Sequence, residues 1–270
     1  MLTVGSLFAG IGGLDLGLER AGMQIKWQIE INPFCQQILK RRWPDVKRYW
    51  DVRSLLGNEL ERVDLICGGF PCQPVSSAGK RKGTVDDRWL WPEFIRIIRE
   101  VRPRWVLAEN VPGLLSIDSG RPFGSILADL ASSGYCPEWD CIPAAAIGAP
   151  HRRDRIFIVA HSNGDGFSRP SVSVFGGRSF QERPDSSRAS QALANPESTK
   201  LERPSNSWSG RIGPSNGSIF GDNWAFEPNV GRVANGVPDR MDRLRALGNA
   251  VVPQIAEYLG RLIIQAEERK

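Results

Sequence analysis

Over its first 160 residues the chain alternates short apolar runs with amphipathic stretches, and that alternation admits few architectures. The runs at 2–8, 24–29, 63–67, 105–108 and 156–160 have strand length, and a further short candidate precedes Asp51. Between them, 14–19, 34–42 and 88–101 carry apolar residues at helical spacing, the last through Leu90, Trp91, Phe94, Ile97, Ile98 and Val101. Strands alternating with helices of this length imply βαβ units and an α/β fold with a doubly wound, mostly parallel sheet. Such a sheet binds ligands beyond the carboxyl ends of its strands. The pattern breaks at residue 161. From there to 236 the chain is rich in Gly, Pro, Ser and Asn and poor in apolar clusters, the composition of loops. Regular patterning resumes at 237, and a final helix over 252–266 presents Ile255, Ala256, Leu259, Leu262 and Ile263 on one face. That face calls for burial against the N-terminal sheet. The chain therefore divides into a main domain at 1–160, a short irregular region at 161–236, and a segment at 237–270 that returns to the main domain.

Composition narrows the function classes. With 41% hydrophobic and 24% charged residues among 270, the chain has globular usage, which excludes disorder throughout. No apolar run approaches the length needed to span a bilayer, and Met1-Leu2-Thr3-Val4-Gly5 lacks the charged and apolar regions of a secretory signal. A cytoplasmic protein with no membrane partner is expected. Lys and Arg number 35 against 30 Asp and Glu, a surplus of +5 that suits a polyanionic partner without demanding one. Five cysteines, an odd number, argue against a disulfide framework and leave room for a reactive thiol. Two histidines and no CxxC pair give a zinc site little to build with, so no metal is expected.

The chemistry sits at strand ends. Phe8-Ala9-Gly10-Ile11-Gly12-Gly13 follows the first strand and opens a helix at Leu14, where glycines let backbone approach a ligand and the helix offers free N–H groups. Some 20 residues on, Glu30 ends the second strand, where a carboxylate can accept from both hydroxyls of a ribose. Together they suggest an adenosine-containing ligand. Asp51 fits either the adenine amino group or the cap of a following helical turn. Gly68-Gly69-Phe70-Pro71-Cys72-Gln73-Pro74-Val75-Ser76 closes a buried strand, and a cysteine between nearby prolines there is expected to be exposed, rigidly held and open to activation by positive neighbours. Glu109-Asn110-Val111 ends another strand, and His151-Arg152-Arg153-Asp154-Arg155 opens the next with alternate arginines. No structural role explains a thiol, a carboxyl and arginines converging on an adenosine-binding turn.

In this order the motifs resemble those of the DNA cytosine-5 methyltransferases of bacteria and phages. Phe8–Gly13 is similar to the S-adenosylmethionine turn, Phe70-Pro71-Cys72-Gln73 to the catalytic Pro-Cys loop, and Glu109-Asn110-Val111 to the Glu-Asn-Val motif. Arg153-Asp154-Arg155 is similar to the Arg-x-Arg motif and Gly248-Asn249-Ala250-Val251 to the terminal Gly-Asn-x-Val motif. The resemblance implies a Rossmann-like fold, S-adenosylmethionine as cofactor, and methylation of C5 of cytosine in a specific sequence of double-stranded DNA. By the same resemblance Cys72 is the nucleophile that adds to C6 of a flipped base. Glu109 contacts N3 and the 4-amino group, Arg155 binds O2, and Arg153 steadies Glu109 or the Cys72 loop. Phe8, Ala9, Gly10, Ile11, Gly12, Gly13, Leu14, Glu30, Ile31, Asp51, Val52, Pro71, Asn249 and Val251 would form the cofactor pocket, and Gln73, Ser76, Arg88 and Asn110 would meet DNA. A monomer is implied, with a cognate restriction endonuclease as a companion activity.

The chain departs from the family in three places. His151 stands where Gln is usual, which puts a local contact in doubt. The stretch before the terminal motif is reduced to Asn235-Gly236-Val237-Pro238-Asp239, and the recognition region at 161–236 is short. Its basic residues, Arg169, Arg178, Arg183, Arg188, Lys200 and Arg211 among them, are interspersed with acids and fit phosphate contact or a solvated surface equally well. Two other functions share the resemblance: methylation of cytosine in transfer RNA, whose enzymes carry a Cys-Phe-Thr region not evident here, and a silent nucleic-acid-binding homologue, against which Cys72, Glu109 and Arg155 all stand intact.

Overall fold

The computed structural model describes residues 1–72, 89–163, 174–175 and 238–269. A seven-stranded sheet forms from β1 (Thr3–Leu7), β2 (Gln24–Ile29), β3 (Lys47–Tyr49), β4 (Leu65–Gly69), β5 (Trp105–Asn110), β6 (Tyr135–Pro143) and β7 (Asp154–Ser162), in the order β3-β2-β1-β4-β5-β7-β6. All pairings from β3 to β5 are parallel, and β7 runs antiparallel to both β5 and β6. The expected doubly wound, mostly parallel sheet is thus present, with an antiparallel edge. The chain winds outward from β1 in one direction and then from β4 in the other. The crevice where that direction reverses lies beyond the ends of β1 and β4.

Side-chain alternation sorts the core into two layers. Along β5, Val106 and Ala108 face one cluster while Trp105 and Leu107 face the other. Helices α3 (Trp91–Val101) and α4 (Arg121–Ser132) cover the first face with Phe94, Ile97, Ile98, Ile126 and Leu130. Against the second face lie α1 (Gly13–Arg20), through Leu14 and Leu18, and the final helix. Helix α2 (Pro33–Arg42) precedes β3, and α5 (Arg240–Asn249) leads into the final helix α6 (Pro253–Glu268). As the apolar stripe of its sequence requires, α6 buries Ile255, Ala256, Leu259 and Ile263 under the N-terminal sheet.

Small residues set the closeness of that packing. A Cβ on Gly17 of α1 would fall 2.2 Å from the Pro253 carbonyl oxygen and 2.5 Å from Ala256 Cβ, and one on Gly260 would fall 2.8 Å from Ala21 Cβ. At its far end α6 is tied to the sheet through Glu267, which pairs with Arg104 and accepts from Trp105 Nε1 at 2.8 Å. Arg104 also pairs with Asp64 at 2.9 Å, and Asp64 accepts from both the backbone and the hydroxyl of Thr3. The strand expected at 156–160 extends to Ser162, so the boundary at 160 falls inside β7.

Because the α1–α6 seam has no room for a methyl group, Gly17→Ala should destabilise the protein by about 1–3 kcal/mol through overpacking. The midpoint of urea denaturation measures it. An unchanged midpoint would mean that α6 can retreat from α1 without cost.

Candidate active site

Parallel pairing carries the ends of β1 to β5 to one edge of the sheet, and the reversed β7 brings its beginning to the same edge. Register completes this arrangement: Glu109 lies opposite Gly69 on β4 and opposite Phe157 on β7, two residues beyond Arg155. A cleft of about 460 Å³ opens at this edge, a volume typical of small-molecule sites.

The glycine turn forms one wall. Phe8, Gly10 and Gly12 have left-handed backbone, with φ of 53°, 57° and 82°. Ala9 N donates to Ile29 O at 3.0 Å, and Gly12 N to Ala9 O at 2.9 Å. The Glu30 carboxylate accepts from Gly10 N and Asn32 N, one on each oxygen and both at 2.7 Å. A carboxylate has about four acceptor positions, so two remain for a ligand. At Gly13 a Cβ would stand 2.4 Å from Val251 O, so the returning segment passes directly over the helix start. The Asp51 carboxylate accepts from Arg53 N at 3.0 Å, capping the turn at Val52–Ser54, and pairs with the Arg53 guanidinium, whose hydrogen bonding holds its pKa below the usual range. The capping reading of Asp51 is thus met, and the residue also lines the cleft.

Behind the turn, Asp15 is fully buried and accepts from Ser6 Oγ at 3.0 Å and Gln28 Nε2 at 2.8 Å. Burial pushes its pKa up to about 6, against the opposing pull of those two hydrogen bonds.

Opposite lies the Pro-Cys segment. Phe70 packs among Trp89, Trp91 and Phe94, with ring centroids 5.8, 5.1 and 5.9 Å away. Asn110 Nδ2 donates to Phe70 O at 3.0 Å, and Asn110 Oδ1 accepts from Val111 N at 2.9 Å. Asn110, expected at the DNA, is instead buried with its amide committed to holding this loop. The expectation of an exposed Cys72 is also corrected. Cys72 is only 8% exposed, pairs by backbone with Trp89, and has its thiol pushed up to about 12 by burial. Trp89, whose ring packs edge-on against Phe70, is the partner in that pairing, a contact that local sequence does not disclose.

Glu109 is 8% exposed and pairs with Arg155, Oε1 to Nε, at 3.0 Å. A Cβ on Gly69 would lie 2.7 Å from Glu109 Oε2, so the Gly-Gly end of β4 makes room for the carboxylate. Burial raises the Glu109 pKa to about 7, outweighing the attraction of Arg155 and Arg153. Arg153, with φ 37°, donates to Gly248 O at 2.7 Å and Ala250 O at 2.6 Å, so its guanidinium ties β7 to the returning segment while its charge also acts on Glu109.

Most sequence-predicted positions therefore meet in one cleft: Phe8, Ala9, Gly10, Gly13, Leu14, Glu30, Ile31, Asp51, Val52, Pro71, Cys72, Glu109, Asn110, Arg155, Asn249 and Val251. Ile11 and Gly12 line an adjoining cavity of about 760 Å³ with Arg20, His151 and Arg153. Gln73, Ser76, Arg88, the basic residues at 169–211 and Asn235-Gly236-Val237 lie outside the described residues, as does nearly all of 161–236. Sequence reasoning missed Trp50, Asp242 and Arg245, which also line the cleft. Trp50 is 58% exposed, as is Ile31, and a large apolar ring beside the acid at 51 was the signal available.

A cleft that combines a glycine turn, a thiol and a paired glutamate matches what comparison finds. Residues 2–212 match the C-5 cytosine-specific DNA methylase family. The chain belongs to that family. The type II methyltransferase M.NgoMIV of Neisseria gonorrhoeae is 40% identical over 160 residues, 57% of this chain and 50% of that protein. M.AquIA of Picosynechococcus, also a type II methyltransferase, is 34% identical over 184 residues, 61% of this chain and 74% of that protein. Among solved structures, a prophage-encoded protein of E. coli described as a DNA modification methyltransferase superposes with a TM-score of 0.53 at 29% identity, covering 60% of this chain and 47% of that one. The chain spans half or less of the first three curated relatives, 50%, 42% and 39% of their lengths. Among the described residues no helix is long and apolar enough to cross a membrane, and no group of three or more potential ligands could hold a metal ion.

Asp15 gives the site's support a pH signature. Its folded pKa near 6 exceeds the ~3.9 of an unfolded chain, so the folded protein binds this proton more tightly. Its contribution should therefore be largest below pH ~4, fall between ~4 and about 6, and stay flat above. Stability of the protein minus that of Asp15→Asn should drop by about 2 kcal/mol from pH 4 to pH 7, because the unfolded carboxyl is already half ionised at pH ~4 and each unit is worth ~1.4 kcal/mol. Urea unfolding across that range measures the difference, and a flat one would show that Asp15 stays ionised in the core.

Proposed function

We propose that this chain transfers a methyl group from S-adenosylmethionine to C5 of cytosine within a specific sequence of double-stranded DNA. The observation that carries the reading is the meeting of Cys72, Glu109 and Arg155 in the same cleft as the glycine turn and Glu30. Membership of the cytosine-specific DNA methylase family supports the reaction class, and the type II names of its relatives support a restriction-modification setting with a cognate endonuclease. The active unit is a monomer.

The residues present fit the methyl donor. Glu30 keeps acceptor capacity for two ribose hydroxyls. A Cβ at Gly10 would project into open space, so the turn leaves room for a ligand. Trp50, Ile31 and Val52 offer apolar surface to the adenine, with Asp51 beside them for its amino group. Phe8, Ala9, Leu14, Pro71, Asn249 and Val251 complete the surround. When bound, the donor supplies a methyl group made electrophilic by a sulfonium.

Cytosine C5 is too weak a nucleophile to take that methyl unaided, so the ring must be activated by covalent addition. Cys72 sulfur bonds to C6 as its thiol proton leaves to solvent, and Glu109 protonates N3, converting C5 into an enamine carbon. Arg155 holds O2 and keeps Glu109 oriented. C5 then takes the methyl, its hydrogen leaves to solvent as a proton, and Cys72 departs from C6 as a thiolate that regains a proton from solvent while Glu109 recovers the N3 proton. The base reaches this cleft only by leaving the duplex, at a cost of about a few kcal/mol. Gln73, Ser76 and Arg88 would contact the DNA around the vacated position, and 161–236 would read the flanking sequence, with 1–160 and 237–270 forming the catalytic unit.

The burial of Glu109 suits its role. A carboxyl titrating near 7 retains a proton to give at neutral pH, whereas an ordinary glutamate near ~4.3 has none. The rate should therefore fall as pH rises through about 7, the limb expected when the protonated form is active, and Glu109→Gln should lose it along with at least ~100-fold in turnover. A profile that is flat or rises through that range would show that a proton on Glu109 does not limit the rate.

The direct assay is transfer from labelled S-adenosylmethionine to unmethylated duplex DNA and, in parallel, to transfer RNA, with product mapped by bisulfite sequencing. Methylcytosine in one recurring DNA context, absent with Cys72→Ala, is the expected result. Transfer to RNA alone, or retained methylation by Cys72→Ala, would overturn the substrate or the covalent step respectively.

A further inference from the structure

Behind the glycine turn lies a carboxylate without a counter-charge. Asp15 stands in the first turn of α1, is fully buried, and accepts from Ser6 Oγ of β1 and Gln28 Nε2 of β2. The buried Gln28 Oε1 has no hydrogen-bond partner among the described residues. The amide thus gives its N–H to Asp15 and leaves its oxygen unmet, the orientation that a carboxylate acceptor calls for. Buried charges are ordinarily paired with an opposite charge. Among the described residues no cation pairs with Asp15. The dipole of α1 favours an acid in its first turn, which is less than a full counter-ion supplies. The charged neighbours add to the excess. Glu19, on the same helix and paired with Arg42 at 2.6 Å, acts on Asp15 as a like charge, and the Cys67 thiol of β4 feels the Asp15 charge. From β1 and β2 the facing side chains are the uncharged Ser6 and Gln28, and Glu257 of α6, beside Gly17, is paired with Arg261 at 2.7 Å.

This cluster sits directly behind the cleft. Leu14 precedes Asp15, Ile29 follows Gln28, and Phe8 stands two residues beyond Ser6; all three line the cleft. Three separate segments therefore hold the charge against the back of the site. A sulfonium methyl donor is positively charged at sulfur, and transfer of its methyl leaves a neutral thioether of otherwise the same shape. A fixed charge in a poorly polarisable interior acts beyond contact distance, so it distinguishes two ligands that differ in charge alone. We propose that Asp15 sets the preference of the cleft for the cationic donor over its neutral product, acting through the wall without touching either. The proposal rests on the reading of this cleft as the S-adenosylmethionine site. It makes Asp15 a specificity-determining residue that eases product departure after each turnover.

Calorimetry on the full chain with S-adenosylmethionine and S-adenosylhomocysteine tests it, read as the ratio of the two affinities. Asp15→Asn keeps the size of the side chain and removes the charge. It should lower the preference for S-adenosylmethionine about three- to tenfold at pH ~7.5. Because Glu109 faces the same cleft and ionises near 7, the pH series uses Glu109→Gln as background. There the preference should rise with pH through about 6 as Asp15 ionises, and stay flat once Asp15→Asn is added. Should Asp15→Asn fail to fold, Glu109→Gln alone decides. Near pH 6 S-adenosylmethionine should release part of a proton on binding, seen as a heat that varies with the buffer, and S-adenosylhomocysteine should release none. Equal weakening of both ligands would reduce Asp15 to a support of the turn, and a preference indifferent to pH and to the substitution would remove it from discrimination; either overturns the proposal while the cofactor site stands. If the unsubstituted protein binds neither ligand, the cleft is not a cofactor site and both readings fail together.

Discussion

Burial and pairing compete at Glu109, and the rest of the site is arranged around their balance. Desolvation alone would keep this carboxyl protonated, while Arg155 at 3.0 Å and the nearby charge of Arg153 draw it back towards ionisation. The outcome near 7 is a group able to hold or release a proton at neutral pH. Each contributor depends on the sheet. Gly69 leaves the space for the carboxylate, the parallel β4–β5 register sets the two opposite one another, and the reversal of β7 brings Arg155 to the same edge. In an all-parallel sheet the beginning of β7 would lie at the other edge, far from Glu109.

The site is also a meeting of distant parts of the sequence. Arg153 reaches the carbonyls of Gly248 and Ala250, Val251 crosses the start of α1 at Gly13, and α5 forms a wall of the cleft. The motifs are thus in mutual contact as well as in order, and several apparently catalytic side chains do structural service. Asn110 spends its amide on the Phe70 carbonyl and the Val111 amide. The arginines that open β7 divide the work, one towards the glutamate and one towards the returning segment.

Much of this was legible from residues alone. Strands buried on both faces, such as β5 with every residue buried, announce themselves as apolar runs, and α6 does so through its stripe. Elements without that signal were missed. Among the described residues β6 is an edge strand paired with β7 alone, and its Cys136-Pro137-Glu138-Trp139-Asp140 stretch is half-solvated, so no run forms. The cleft-facing side of α5 was hidden because its residues are mostly polar and line a concave space that exists only once the helix is placed at the sheet edge. The backbone pairing of Cys72 with Trp89 is a contact that the prolines around the cysteine do not reveal.

The close seam between α1 and α6 has a consequence for folding. Gly17 and Gly260 let two helices far apart in the chain pack without a gap, and Gly13 lies against Val251 in the same way. The β1–β5 part pairs through sheet contacts of shorter range, whereas the α5–α6 side of the cleft depends on contacts that span most of the described chain. Long-range closure of this kind is slow relative to local folding. The sheet edge is therefore expected to form before the cleft that it carries, which closes when α6 docks on α1.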